Sequence, residues 1–165
     1  MSKLLYLSHP QVVIDPAVPV TEWPLNAVGQ ARIAALCERA PLLMSGTSAI
    51  YSSPERKARD SAEPLAAALG LTVQIAEDSY ENDRSSTGFL PPDAFEDMAD
   101  RFFGNPTESV RGWERAVDAQ SRIVACIDRI LADSPFGDVL VVGHGAVGTL
   151  LFCALSGTAI SRAQD

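Results

Sequence analysis

The run Asp138-Val139-Leu140-Val141-Val142-Gly143, followed at once by His144-Gly145, decides the reading of this chain. An unbroken aliphatic, β-branched stretch predicts a strand buried on both faces. Lys3-Leu4-Leu5-Tyr6-Leu7-Ser8 repeats the pattern near the N-terminus, and His9-Pro10 ends it, because proline has no N–H for a ladder. The chain holds only two histidines, and each directly follows one of these strands. Open α/β sheets bind ligands outside the carboxyl ends of their strands, so both histidines are expected at one edge of the sheet.

Outward from these strands, the chain alternates. Val12 to Val20, broken by Pro16 and Pro19, reads as an extended loop. A helix is expected to open at Pro24, to bury Val28, Ala31, Ala35, Leu36 and Cys37, and to stop at Pro41. Ala49 to Ser52 predicts a second strand. Pro54 opens the next helix, whose inner face carries Ala58, Ala62, Leu65, Ala66 and Leu69 and which ends at Gly70. Pro64 is expected to kink that helix. Leu71 to Ala76 predicts a third strand, Arg115 to Leu131 an amphipathic helix, and Val147 to Leu155 a final apolar one. Strands alternating with helices predict an α/β fold, a three-layer α/β/α sandwich on a mostly parallel central sheet. With no repeat and no linker, residues 1–165 read as one domain. Residues 80–109 are polar and rich in turn residues, yet carry Phe89, Phe95, Phe102 and Phe103, with a short helix expected over Asp93 to Phe103. So long an insert predicts a lid that sets the substrate.

Composition narrows the partners. The formal net charge of −8 argues against nucleic acid, whose binding relies on Lys and Arg against phosphate. Any anion pocket must then be a local cationic spot on an acidic molecule. No apolar run approaches the roughly 20 residues that cross a bilayer. The N-terminus lacks the pattern of a signal peptide, which makes a cytoplasmic location the expectation. Cys37, Cys126 and Cys153 lie in apolar helical patterns and are expected to be buried free thiols. Oligomeric state is not written in the sequence.

Paired histidines suit phosphoryl transfer. One imidazole attacks phosphorus and carries the group as phosphohistidine, the other hydrogen-bonds the transferring oxygens, and a carboxyl group protonates the leaving oxygen. A metal site built from both histidines with Glu81 and Asp83 fits less well, because these residues lack the usual ligand spacing.

Tyr6-Leu7-Ser8-His9-Pro10, Trp23-Pro24-Leu25-Asn26-Ala27-Val28-Gly29-Gln30-Ala31, Tyr51-Ser52-Ser53-Pro54 through Ala58 with Ser61-Ala62-Glu63, and Val141-Val142-Gly143-His144-Gly145-Ala146-Val147 occur in this order. Together they resemble the histidine phosphatase, or phosphoglycerate-mutase-like, superfamily. The resemblance implies His9 as the nucleophile, His144 as the second pocket histidine, and Glu81 as proton donor with Asp83 as its competitor. It calls for no metal and no cofactor. Ser8 and Pro10 stand where the family has the arginine and glycine that flank its nucleophile, and Lys57 stands where it has a second arginine. Lysine supplies charge without the bidentate fork of a guanidinium. Ser8, Lys57, Arg56 and Arg84 are the candidate phosphate-binding residues, although Arg56 is expected to point elsewhere if the helix register holds; Arg111 is a further replacement cation. The implied activity is metal-independent hydrolysis of a phosphomonoester or phosphoprotein by a phosphoric monoester hydrolase. The alternative is a weakened family member that binds a phosphorylated or anionic ligand.

Overall fold

Alternate residues of β4 (Asp138–Gly143) go to opposite sides of the sheet, and this alternation organises the fold. Val139 and Val141 enter one apolar cluster, whereas Leu140 and Val142 enter the other. The computed structural model describes residues 2–164. The expected bounds 1–165 thus include Met1 and Asp165, which lie outside the described residues.

Among the described residues, four strands form one parallel sheet in the order β1-β4-β2-β3, with β1 at Leu4–Ser8, β2 at Thr47–Ser52 and β3 at Val73–Ile75. Helices α1 (Ala27–Leu43) and α2 (Arg56–Leu69) cover one face, and Ala40, Ala62, Leu65 and Ala66 meet Ile50 and Leu140 there. Helices α3 (Pro92–Gly104), α4 (Ala116–Asp133) and α5 (Gly145–Ser156) build the other, thicker cluster. This is the three-layer arrangement expected from the sequence.

Several local expectations need correction. The first helix opens at Ala27, not Pro24, because the Asn26 side chain caps it by accepting from Gly29 N–H at 2.9 Å. Pro24 and Leu25 stay extended, with Leu25 bridged to Val12. The inward face of α1 is Gly29, Ile33 and Ala40, with Leu36 and Cys37 half-buried, whereas Val28, Ala31 and Ala35 face out. Gly29 explains the offset. A Cβ there would lie 2.2 Å from the Gln11 carbonyl oxygen, so the chain after β1 crosses α1 at its only side-chain-free position. Pro41 does not stop α1, which runs on to Leu43, and Pro64 lies inside α2 without ending it. All three cysteines are free, but Cys37 is only half-buried. Within residues 80–109, Met98, Ala99, Phe102 and Phe103 of α3 are core. Trp113 is buried beside Phe102. Arg162, near the chain end, docks on α3 through Asp100 (2.6 Å) and Glu96 (2.5 Å).

Among the described residues no helix is long and apolar enough to cross a membrane.

Candidate active site

His9 and His144 meet because β1 and β4 are neighbours in register, Ser8 opposite Gly143. His9 N–H extends the ladder by donating to Gly143 O at 3.0 Å, and Ser53 N–H does the same to Val142 O at the end of β2. Three strand ends therefore converge. The imidazole centroids lie 5.3 Å apart, edge to face at 73°.

The two rings are prepared differently. His9 Nδ1 lies 2.8 Å from Pro10 O. A carbonyl only accepts, so Nδ1 carries the proton and Nε2 keeps its lone pair. Burial lowers the His9 pKa below the ordinary imidazole value, with Lys57 and Arg84 adding to the effect, so the ring stays neutral. His144 is fully buried, and burial drives its pKa down to about 3. Its Nε2 is 2.7 Å from Ser53 Oγ, while Nδ1 has no partner. The His144 peptide is clamped by Tyr6. His144 N–H donates to Tyr6 Oη at 3.1 Å, and Tyr6 Oη donates to His144 O at 3.2 Å. Burial raises the Tyr6 pKa well above its usual value, so the phenol keeps that proton.

Glu81 closes the pocket over the start of α5. Its Oε1 accepts from Val147 N–H (3.1 Å) and Asn82 N–H (3.1 Å), and its Oε2 from Ala146 N–H (3.3 Å). Burial raises its pKa, although these donors and Arg84 pull the other way. Asp83 differs. It is exposed, and Ser85 N–H at 2.9 Å holds its carboxyl below the usual range. The geometry thus favours Glu81 as the acid of the two.

The candidate phosphate ligands separate. Lys57 is 3% exposed and donates to Val20 O at 2.8 Å and to the Glu55 carboxylate. Arg84 lines the cavity beside Glu81 and lies 4.8 Å above the Phe95 ring. Ser8 instead lines a separate cavity with Tyr6, His144 and Phe152. Arg56 is not brought to the site; it is half-exposed and pairs with Asp60 at 3.8 Å. Arg111 is exposed, and its backbone is held at a positive φ of 50°.

Sequence reasoning missed four residues. Glu55, 6% exposed, ion-pairs with Lys57, accepts Glu81 N–H at 2.9 Å, and lies 3.6 Å from His144 Nε2. Ahead of Arg56-Lys57 at a helix start, it reads in sequence as a solvated first-turn acid. Tyr6 reads as an ordinary strand residue, and Ser53 as the turn between a strand and a helix. Arg122 reads as the polar face of an amphipathic helix, yet it ion-pairs with Glu114 at 2.8 Å and donates to Asp78 O and Tyr80 O. That fixes the turn from which Glu81 projects. Among the described residues, no group of three or more His, Cys, Asp and Glu side chains is placed to hold a metal ion.

A family model described as histidine phosphatase superfamily (branch 1) matches residues 17–165, a span that begins after His9. No curated protein sequence matches the chain. Among solved structures, Bacillus stearothermophilus YhfR superposes with a TM-score of 0.83 at 22% identity, covering 97% of this chain and 82% of that one. The mycobacterial glucosyl-3-phosphoglycerate phosphatase complexed with inorganic phosphate gives 0.78 at 24% identity, covering 97% and 81%. The Entamoeba histolytica phosphoserine phosphatase in complex with 3-phosphoglyceric acid gives 0.77 at 16%, covering 96% and 82%.

Proposed function

Because the chain belongs to the histidine phosphatase superfamily, we propose that it is a phosphatase that hydrolyses a phosphomonoester, small or on a protein, through phospho-His9 and without a metal. The observation that carries this reading is the His9 Nδ1–Pro10 O hydrogen bond, which leaves Nε2 unprotonated on a neutral ring beside His144. In the first step the Nε2 lone pair attacks phosphorus. The bond from phosphorus to the leaving oxygen breaks, and that oxygen takes the Glu81 proton. In the second step water attacks phosphohistidine, Glu81 takes the water proton, and His9 is released with inorganic phosphate. His144, Lys57 and Arg84 supply the donors around the transferring group. The segment of residues 80–109 acts as the lid that selects the leaving group, a reading supported by Phe89 against Trp23 (6.0 Å) and Phe95 beneath Arg84. The protein works on soluble substrates in the cytoplasm.

A second reading, an anion-binding member with little turnover, is favoured by one observation: the buried cation Lys57 is already paired with Glu55. Turnover of an aryl phosphate, measured with and without chelator in the parent and in His9→Ala, separates the two. Chelator-insensitive turnover that disappears in the variant supports the phosphatase. No turnover between pH 5 and 8 leaves either a narrowly selective enzyme or the binding protein.

A further inference from the structure

A phosphoryl group entering this pocket finds both of its natural seats taken by the protein's own carboxylates. The start of α5, whose free N–H groups make an anion site, is occupied by Glu81. Lys57 is occupied by Glu55. The adjoining cavity, about 660 Å³, adds Glu22, Glu77 and Asp83 to the Glu55 carboxylate and the Glu81 carboxyl group, against Arg84 as its one basic residue. Asn82 also lines it, 5% exposed, and its Nδ2 has no partner, a buried donor awaiting an acceptor. These walls thus hold donors for a phosphoryl oxygen and an excess of negative charge. A bare dianion displacing Glu55 from Lys57 leaves that carboxylate buried, unpaired and beside two further charges, a strongly unfavourable arrangement. A ligand that brings its own cation meets the displaced carboxylate and restores the balance.

We propose that Glu55 makes this site selective for phosphomonoesters whose leaving group carries a cationic group, such as a primary ammonium. The inference rests on the reading that the pocket takes a phosphoryl group, and Glu55 is its charge-selecting residue.

The test uses two near-isosteric, non-hydrolysable probes, 2-aminoethylphosphonate and propylphosphonate, titrated calorimetrically into the full chain at pH 7. The parent is expected to bind the ammonium probe at least tenfold more tightly. In Glu55→Gln that ratio is expected to fall below threefold, with propylphosphonate gaining affinity. A parent ratio under tenfold, binding of neither probe, or a folded Glu55→Gln that keeps the parent ratio overturns the proposal. If Glu55→Gln fails to fold, the parent ratio decides alone. Because binding is read without turnover, the outcome is independent of the aryl phosphate assay. Ammonium preference without hydrolysis of 2-aminoethyl phosphate sinks only the phosphatase, and hydrolysis without preference sinks only the selectivity.

Discussion

His9, His144 and Glu81 share one device: burial shifts the titration of each in favour of its neutral form. For catalysis the signs combine into a bell. The nucleophile fails when His9 takes a proton, below the usual imidazole range, and the acid fails when Glu81 loses one, above the usual carboxyl range. Activity toward an alkyl phosphate is therefore expected to be highest between these limits. Glu81→Gln should lower kcat by about 10²–10⁴ and abolish the alkaline limb. An aryl phosphate, whose leaving group needs less protonation, should lose far less; equal losses on both substrates would remove Glu81 from the acid role. Stability carries the same signature for His144. Its folded pKa of about 3 lies below the unfolded value of 6.5, so the unfolded chain binds more protons as pH falls between them. The fold should lose up to about 1.4 kcal/mol per pH unit in that window. His144→Asn should flatten the slope of unfolding free energy against pH there, whatever its effect at pH 7.

At the scale of elements, what matters is how closely α5 and β4 approach β1. Tyr6 fills that contact. A Cβ at Gly148 would lie 2.6 Å from its ring, and one at Gly143 would lie 2.3 Å from its hydroxyl. In an ordinary helix interior Gly→Ala stabilises by about 1 kcal/mol. Gly148→Ala should instead destabilise, by about 1–3 kcal/mol, and slow turnover, because the shifted Tyr6 releases the His144 peptide. Chemical denaturation together with kcat reads both effects, and a more stable variant would show that α5 tolerates the shift. None of this was visible in Gly143-His144-Gly145, which reads as a strand end and a turn. The strands and the two histidines were legible because unbroken aliphatic runs and strand termini are local signals. Glu55 was not. Its meaning comes from Lys57 two residues on, from Glu81 on another loop and from His144 on another strand. Sequence patterning sees only the first of these, and reads it as a surface pair. The face of α1 was misread for a related reason, since the approach of Gln11 to Gly29 is a tertiary fact.

At the scale of the whole molecule the balance of −8 surrounds a pocket whose cations are few and partly neutralised. A phosphomonoester dianion diffusing toward such a surface is repelled. Salt shortens the reach of that repulsion from about 30 Å at 0.01 M to about 8 Å at physiological strength. A phosphatase steered by a basic funnel loses kcat/KM as salt rises. This molecule should do the opposite, with kcat/KM for a dianionic aryl phosphate rising several-fold between 10 and 150 mM salt, chiefly through KM. A substrate carrying an ammonium group has a smaller net charge and should show a flatter response. The ratio of the two slopes separates the general field from the pocket, because the field acts on net charge whereas Glu55 acts on where the cation sits. A fall in kcat/KM for both substrates would mean that Arg84 and the uncovered donors of the pocket dominate the encounter despite the surrounding carboxylates.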